Sequence, residues 1–292
     1  MNETVMIIVP HPDDAEFAAG GTLALLARKG YRIIPVVATD GSAGTLGEGG
    51  HPLAERRKRE GEEAARILGA QPPITLGYRD FTLDRLPPGE LRERLVRLIR
   101  THKPSVLFAQ DPTATRDPHP DHRAVAEAAS DAADFSNLPA IHPEHLAGGL
   151  RPHFVPEKYF FSDDPSRINR LEDISSVMDI KTAALLAHES QVEFLYQEII
   201  EQAEAAGIQK SVIESLFGGD ADPESSVGAN PGTADHIPDL PSDHARRAIA
   251  WAARKTAEEL GRVQGIPFAE GFRYVRFHPY IEALMKQQED IQ

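Results

Sequence analysis

The sequence predicts an α/β fold: a Rossmann-like, mostly parallel sheet with helices on both faces, followed by a less regular C-terminal half that carries a helical and loop insert. Three observations predict it. Short apolar runs alternate with amphipathic stretches through the first half. The runs are continuous rather than alternating, as expected where helices cover both faces of a parallel sheet. Glycine or proline ends three of the helical stretches, at Gly30, Gly69 and Pro104.

The elements follow in order. Val5 to Val9 reads as a buried strand, and Gly21 to Gly30 as a helix ended by Gly30. Arg32 to Ala38 is a second strand, Leu53 to Gly69 an amphipathic helix, and Ile74 to Leu76 a weak third strand. In "GELRERLVRLIRTHKP", Leu91, Leu95 and Leu98 share one helical face. Ser105 to Gln110 is another buried strand, and "DHRAVAEAASDAA" another helix. Further on, "KYFFSD" and "ISSVMDI" look like strands, and Lys181 to Gly207 like a long helical stretch broken near Ser190. Ser215 to Asp243 is rich in Gly, Pro, Ser and Asp and reads as a loop or mobile lid. "HARRAIAWAARKTAEELG" is a helix and "FRYVRFHPY" a last strand.

No repeat and no linker divides the 292 residues, so one domain is expected over 1–292. A homo-oligomer stays open. The formal net charge of −14 excludes a broad nucleic-acid footprint and argues against an anionic membrane surface. A local basic run, Glu55 to Glu60, still permits a small substrate with some negative charge. No run of about 18 apolar residues exists, and the first apolar run is too short for a secretory leader. A cytoplasmic enzyme is the expectation. With no cysteine, disulfides, thiolate metal sites and cysteine nucleophiles are ruled out.

Chemistry gathers where two strands end. "VMIIVPHPDDAEFAAGG" places His11, Asp13, Asp14 and Glu16 after the first strand, and "DPTATRDPHPDH" places His119, Asp121 and His122 after the strand ending at Gln110. Ligands of open α/β sheets sit beyond such carboxyl ends. Asp13, Asp14 and Asp121 also suit helix N-caps, and Pro120 a first helical turn. Capping does not require histidines, however, and two His-bearing turns facing one crevice favour a metal site. Imidazole plus carboxylate suits zinc or another divalent transition ion, not calcium or magnesium. His11, Asp14 and His122 would be the ligands. Asp13, adjacent but spare, would take a proton from the attacking water, and His119 would meet the substrate or the developing oxyanion.

"PHPDDAEFAAGGTLA" and "PHPDH" closely resemble the LmbE/PIG-L family of zinc-dependent N-deacetylases, which act on N-acetylglucosaminyl compounds. "ATDGSAG", "RKREGEEAARILG", "KTAALLAHESQ" and "AEGFR" are similar to further family segments. The resemblance is dense over about the first 130 residues and reaches the second half at isolated points; about 192–266 has no clear counterpart in the family and reads as an insert forming a lid, a subunit contact or an extra substrate wall. It implies zinc, with iron(II) as another occupant, on His11, Asp14 and His122, and Asp13 as general base. It further implies that His119 orients the base or steadies the tetrahedral intermediate. Asp121 would hold the histidine pair, Arg57 would contact the sugar or its substituent, and His188 would lie near the acetyl group. The expected partner is a small N-acetylated sugar.

Bland readings stand beside these. Arg57, with Arg56 and Arg59, suits a solvated helix face, and His188 a packed histidine. Glu16 reads as a first-turn residue complementing the helix dipole, and His51, His142, His145, His153 and His236 as surface or loop residues. Two other functions remain: a metal-dependent phosphoesterase, normally with two ions about 3.5–4 Å apart, and a non-catalytic sugar- or nucleotide-binding module. A dehydrogenase finds no support, because no G-x-G-x-x-G follows the first strand.

Overall fold

The computed structural model describes residues 3–47, 49–113, 117–161, 164–217, 241–277 and 279–289. Of the expected lid at 215–243, residues 218–240 lie outside the described residues, as does His236.

Among the described residues, seven strands form one sheet: β1 (Thr4–Val9), β2 (Arg32–Thr39), β3 (Ile74–Tyr78), β4 (Val106–Gln110), β5 (Glu157–Phe161), β6 (Arg170–Asp173) and β7 (Ala269–Val275). Their order is β3-β2-β1-β4-β5-β7-β6. The first five are parallel, and β7 runs antiparallel to both β5 and β6. The expected parallel sheet is therefore present, with an antiparallel edge.

The period-2 geometry of β1 explains its unbroken apolar run. Val5, Ile7 and Val9 face one layer with Ala19 and Leu23 of α1 (Asp14–Arg28) and Leu68 of α2 (His51–Leu68). Met6 and Ile8 face the other, with Leu95 and Ile99 of α3 (Glu90–His102) and Val125 and Ala129 of α4 (Pro120–Phe135). Both faces are buried, so both sets are apolar. A short helix, α5 (Pro143–Ala147), precedes β5.

Beyond β6, α6 (Met178–Leu186) and α7 (Glu189–Ala205) break at Ala187 and His188, close to the expected break. The region read as an insert contributes α7, α8 (Lys210–Phe217) and α9 (Asp243–Arg262), with its own apolar cluster of Val192, Tyr196, Ile200, Ile213 and Ile249. A last helix, α10, spans Pro279–Glu289.

Several element expectations are corrected. "ISSVMDI" is not a strand: Ile174, Val177 and Met178 recur at the 3/4 spacing of a helix and bury one face in a 3-10 turn running into α6. Asp173 Oδ1 starts that turn by accepting from Ser175 N–H at 2.9 Å. The last strand ends at Val275, and Pro279 opens a helix instead. His145 is not a loop residue but fully buried: its Nδ1 accepts from Arg100 Nη1 at 3.2 Å and its Nε2 donates to Glu93 at 2.6 Å. Both its nitrogens are engaged, so its group with His142 and Glu144 is structural.

Candidate metal centre

The chain builds β1, β2 and β3 outward to one side and then crosses to place β4 on the other side of β1. This reversal between β1 and β4 opens a crevice at their carboxyl ends. His11, Asp13 and Asp14 follow β1, and Asp117, His119, Asp121 and His122 follow β4.

Three electron-pair donors converge in that crevice. His11 Nδ1 stands 3.2 Å from His122 Nε2 and 3.3 Å from Asp14 Oδ2, and His122 Nε2 stands 3.5 Å from Asp14 Oδ1. Tetrahedral bonds of about 2.1 Å set ligand atoms roughly 3.4 Å apart, close to these separations, with a different Asp14 oxygen facing each imidazole. The far nitrogens complete the case. His11 Nε2 donates to Asp80 Oδ1 at 3.0 Å, and His122 Nδ1 donates to Asp117 Oδ2 at 2.7 Å. A neutral imidazole has one N–H, so these bonds assign lone pairs to the two nitrogens that face each other. Two lone pairs and a carboxylate pointing at one spot suit a cation. Histidines backed by carboxylates are the usual support for such a site.

The electrostatics agree. Burial alone would push the His11 imidazole down, but Asp121, Asp14 and Asp80 hold it well above its ordinary value. Burial likewise opposes charge on Asp14, yet His11 and His122 hold its carboxyl far below the carboxylate range. His122 is raised by Asp117 and Asp14 against its burial. The pocket thus stabilises positive charge at the point where the donors meet.

Capping explains little of the acidic residues. Asp13 occupies the N-cap position of α1, but its side chain makes no cap bond; Oδ1 accepts from Arg57 Nη2 at 2.9 Å. Arg57 is not on a solvated face. It is 2% exposed, and Nη1 donates to Gly41 O at 2.9 Å. Its partners are Asp13 and the loop after β2, rather than the open crevice. Gly41 and Gly44 leave room for it: a Cβ on Gly44 would lie 2.5 Å from Arg57 Nη1.

His119 is the N-cap of α4, with Nδ1 accepting from Asp121 N–H at 3.2 Å. Its neutral tautomer therefore carries the proton on Nε2. Burial and the neighbouring His11 and His122 lower its basicity. Its ring lies 4.6 Å from His11 and 5.0 Å from His122. Asp121 is fully buried and accepts from the amides of Phe81 and Leu83 at 2.7 and 2.9 Å, with Oδ2 also 3.7 Å from His11 Nε2.

His188 sits outside the triangle, 1% exposed, with Nε2 donating to Glu16 at 3.2 Å. Its Nδ1 is buried without a hydrogen-bond partner. Two residues on, Ser190 N and Oγ donate to Glu60 at 2.9 and 2.6 Å. Gln191 Nε2 donates to Gly44 O at 3.0 Å. The start of α7 is thereby tied to α1, to α2 and to the loop that receives Arg57.

A cleft of about 670 Å³ opens beside the triangle. Asp14, Asp117 and His122 line one end, and Ala253, Thr256 and Leu260 of α9 line the far wall. Sequence reasoning missed Asp80, Asp117, Glu16 and Glu60 as functional support. Asp80 follows β3 at its carboxyl end, so the strand-end rule was the available signal. No helix among the described residues is long and apolar enough to cross a membrane.

The family described as "PIG-L: GlcNAc-PI de-N-acetylase" matches residues 6–133. The diacetylchitobiose deacetylase of Thermococcus kodakarensis is 36% identical over 190 residues, covering 64% of this chain and 69% of that protein. Among solved structures, the N,N'-diacetylchitobiose deacetylase of Pyrococcus horikoshii aligns with a TM-score of 0.69 and 29% identity over 94% of this chain and 84% of its own. The 4-carboxy-2-hydroxymuconate hydratase GalB of Pseudomonas putida aligns with a TM-score of 0.63 at 20% identity, over 94% of this chain and 97% of its own. That last likeness is one of fold only, and it shows that the fold alone does not set the reaction.

Proposed function

The chain belongs to the PIG-L family of de-N-acetylases, and from that premise we propose that it is a metal-dependent hydrolase removing the acetyl group from an N-acetylated amino sugar or sugar conjugate. The observation that carries the reading is the donor triangle of His11, Asp14 and His122 beside an unligated Asp13. Zinc suits this set best, and iron(II) is the other candidate. When bound there, the ion polarises the amide carbonyl and lowers the pKa of water to about 7.

The chain's own residues do the rest. Asp13, fixed by Arg57, accepts the proton of the attacking water and then passes it to the departing nitrogen, giving acetate and a free amine. His119 turns its Nε2–H toward the developing oxyanion. Asp80 and Asp117 orient the two ligating imidazoles. Asp121 fixes both the N-terminus of α4 and the 81–83 backbone. Arg57 acts through Asp13 rather than on the sugar. His188, enclosed and held by Glu16, positions α7 and adds its field to Asp13 instead of meeting the acetyl group. The helical insert supplies, through α9, a wall for the non-reacting part of the substrate.

A two-ion phosphoesterase is less favoured. The neighbouring group of His11, Asp80 and Asp121 lies close enough for a second ion, but Asp121 is taken up by the Phe81 and Leu83 amides and Asp80 by Ala43 N–H and His11. The test is a panel of N-acetylated sugars and sugar conjugates scored for liberated amine, with and without a chelator. Chelator-sensitive release supports the reading, and no release from any amino sugar ends it.

A further inference from the structure

We propose that Phe81 is the platform on which the substrate's pyranose ring rests, a specificity-determining residue that rests in turn on the amino-sugar reading above. Among the described residues, three non-glycine positions have positive φ: Lys103, His142 and Phe81. Lys103 caps α3 and His142 precedes α5. Phe81, at φ 64°, is not itself a cap, although Thr82 after it caps a 3-10 turn at Leu83–Arg85, and a bulky side chain in that region is a true outlier.

The surroundings over-determine this conformation. Asp121 accepts the amides of Phe81 at 2.7 Å and Leu83 at 2.9 Å, while Asp80 N–H donates to Asp40 at 3.0 Å. Asp80 is further bound to His11. The strained residue is thus built into the same carboxylate network that supports the donor triangle. Packing does not call for a phenylalanine here: the ring belongs to neither core layer and is 51% exposed. Its ring lies at 74° to that of His119, with 4.9 Å between centroids.

A rigid aromatic held half in water beside a reaction centre is pre-organised for an apolar face. A pyranose offers one, since the C–H groups of one ring face point the same way. A sugar lying on Phe81 has the His119 ring between its platform and the ligands His11 and His122. An acetamido group on that sugar then projects past His119 toward them.

The test compares wild type with Phe81→Gly, Phe81→Ala and Phe81→Tyr, on N-acetylglucosamine and on an acyclic acetamide such as N-acetylethanolamine. Glycine adopts positive φ without strain, so Phe81→Gly should melt no lower than wild type. Phe81→Gly and Phe81→Ala should raise KM for the sugar about three- to tenfold, with kcat changing far less and KM for the acyclic amide unmoved. Phe81→Tyr should stay near wild type. Unchanged sugar KM in the Gly and Ala variants of an active enzyme overturns the platform alone. So does an equal rise for the acyclic amide, or a Tyr variant as impaired as Gly. A wild type that releases acetate from no amino sugar overturns the platform and the functional reading together.

Discussion

Arg57 Nη2 donates to Asp13 Oδ1 at 2.9 Å, joining the middle of α2 to the first residue of the α1 cap across a buried gap. The pair gives Asp13 a fixed direction while keeping it off the donor triangle. The guanidinium needs the space left by Gly41 and Gly44. Gly44 has no positive φ, so Gly44→Ala adds only a methyl that collides with Arg57. The expected outcome is a fall in kcat of roughly tenfold or more with bound metal retained, read by steady-state kinetics and metal analysis. Arg57→Ala should be worse, because it leaves a buried carboxylate unpaired at a cost of about 3–5 kcal/mol, seen as a lowered denaturation midpoint.

Asp13 and His122 should separate cleanly. Asp13→Ala is expected to keep its metal and lose about a hundred- to ten-thousandfold in turnover. His122→Ala removes a corner of the triangle and should purify without metal. Equal metal loss in the two variants would take Asp13 out of its assigned role.

Asp117 accepts from His122 Nδ1 at 2.7 Å and also from Gln110 Nε2 at 3.0 Å and His119 N–H at 2.9 Å. Asp117→Asn keeps the shape but loses the charge that fixes the tautomer. Metal affinity should fall about ten- to a hundredfold, measured by competition with a chromophoric chelator.

The His188–Glu16 contact gives a pH signature. Burial opposes the charge on His188, but the bond to Glu16 raises its folded-state pKa above the unfolded 6.5. Stability from this contact is therefore fully present below pH 6.5 and fades as pH rises through the raised folded value. Glu16→Gln should cost most stability between about pH 5 and 6.5 and progressively less at higher pH. Urea unfolding of both proteins across that range checks the sign, and a gap that widens with pH would reverse it.

Much of this was legible in the sequence, for physical reasons. Strands buried on both faces must be apolar throughout, so β1 and β4 announced themselves. The two His-Pro-Asp turns after them carried the ligand candidates. The supporting carboxylates were harder to read, Asp80 offering only its place after β3. Asp80, Glu16 and Glu60 lie in polar or charged stretches where a buried acid looks like an exposed one, and only tertiary packing brings Glu16 to His188 and Glu60 to Ser190. Arg57 illustrates the same limit: its helix reads as a charged face, yet one of its four arginines turns fully inward. The 174–180 stretch misled because β-branched residues suggest a strand, while their 3/4 spacing puts them on a helical face.

One cation held by His11, Asp14 and His122 is proposed to make the chain a hydrolase. The most direct test is to strip the protein of metal and follow acetate release from an N-acetylated amino sugar as zinc is added back. Stripped protein should release none, and release should rise with added zinc and level off at one equivalent per chain. Full release without metal, or a break at two equivalents, would contradict it.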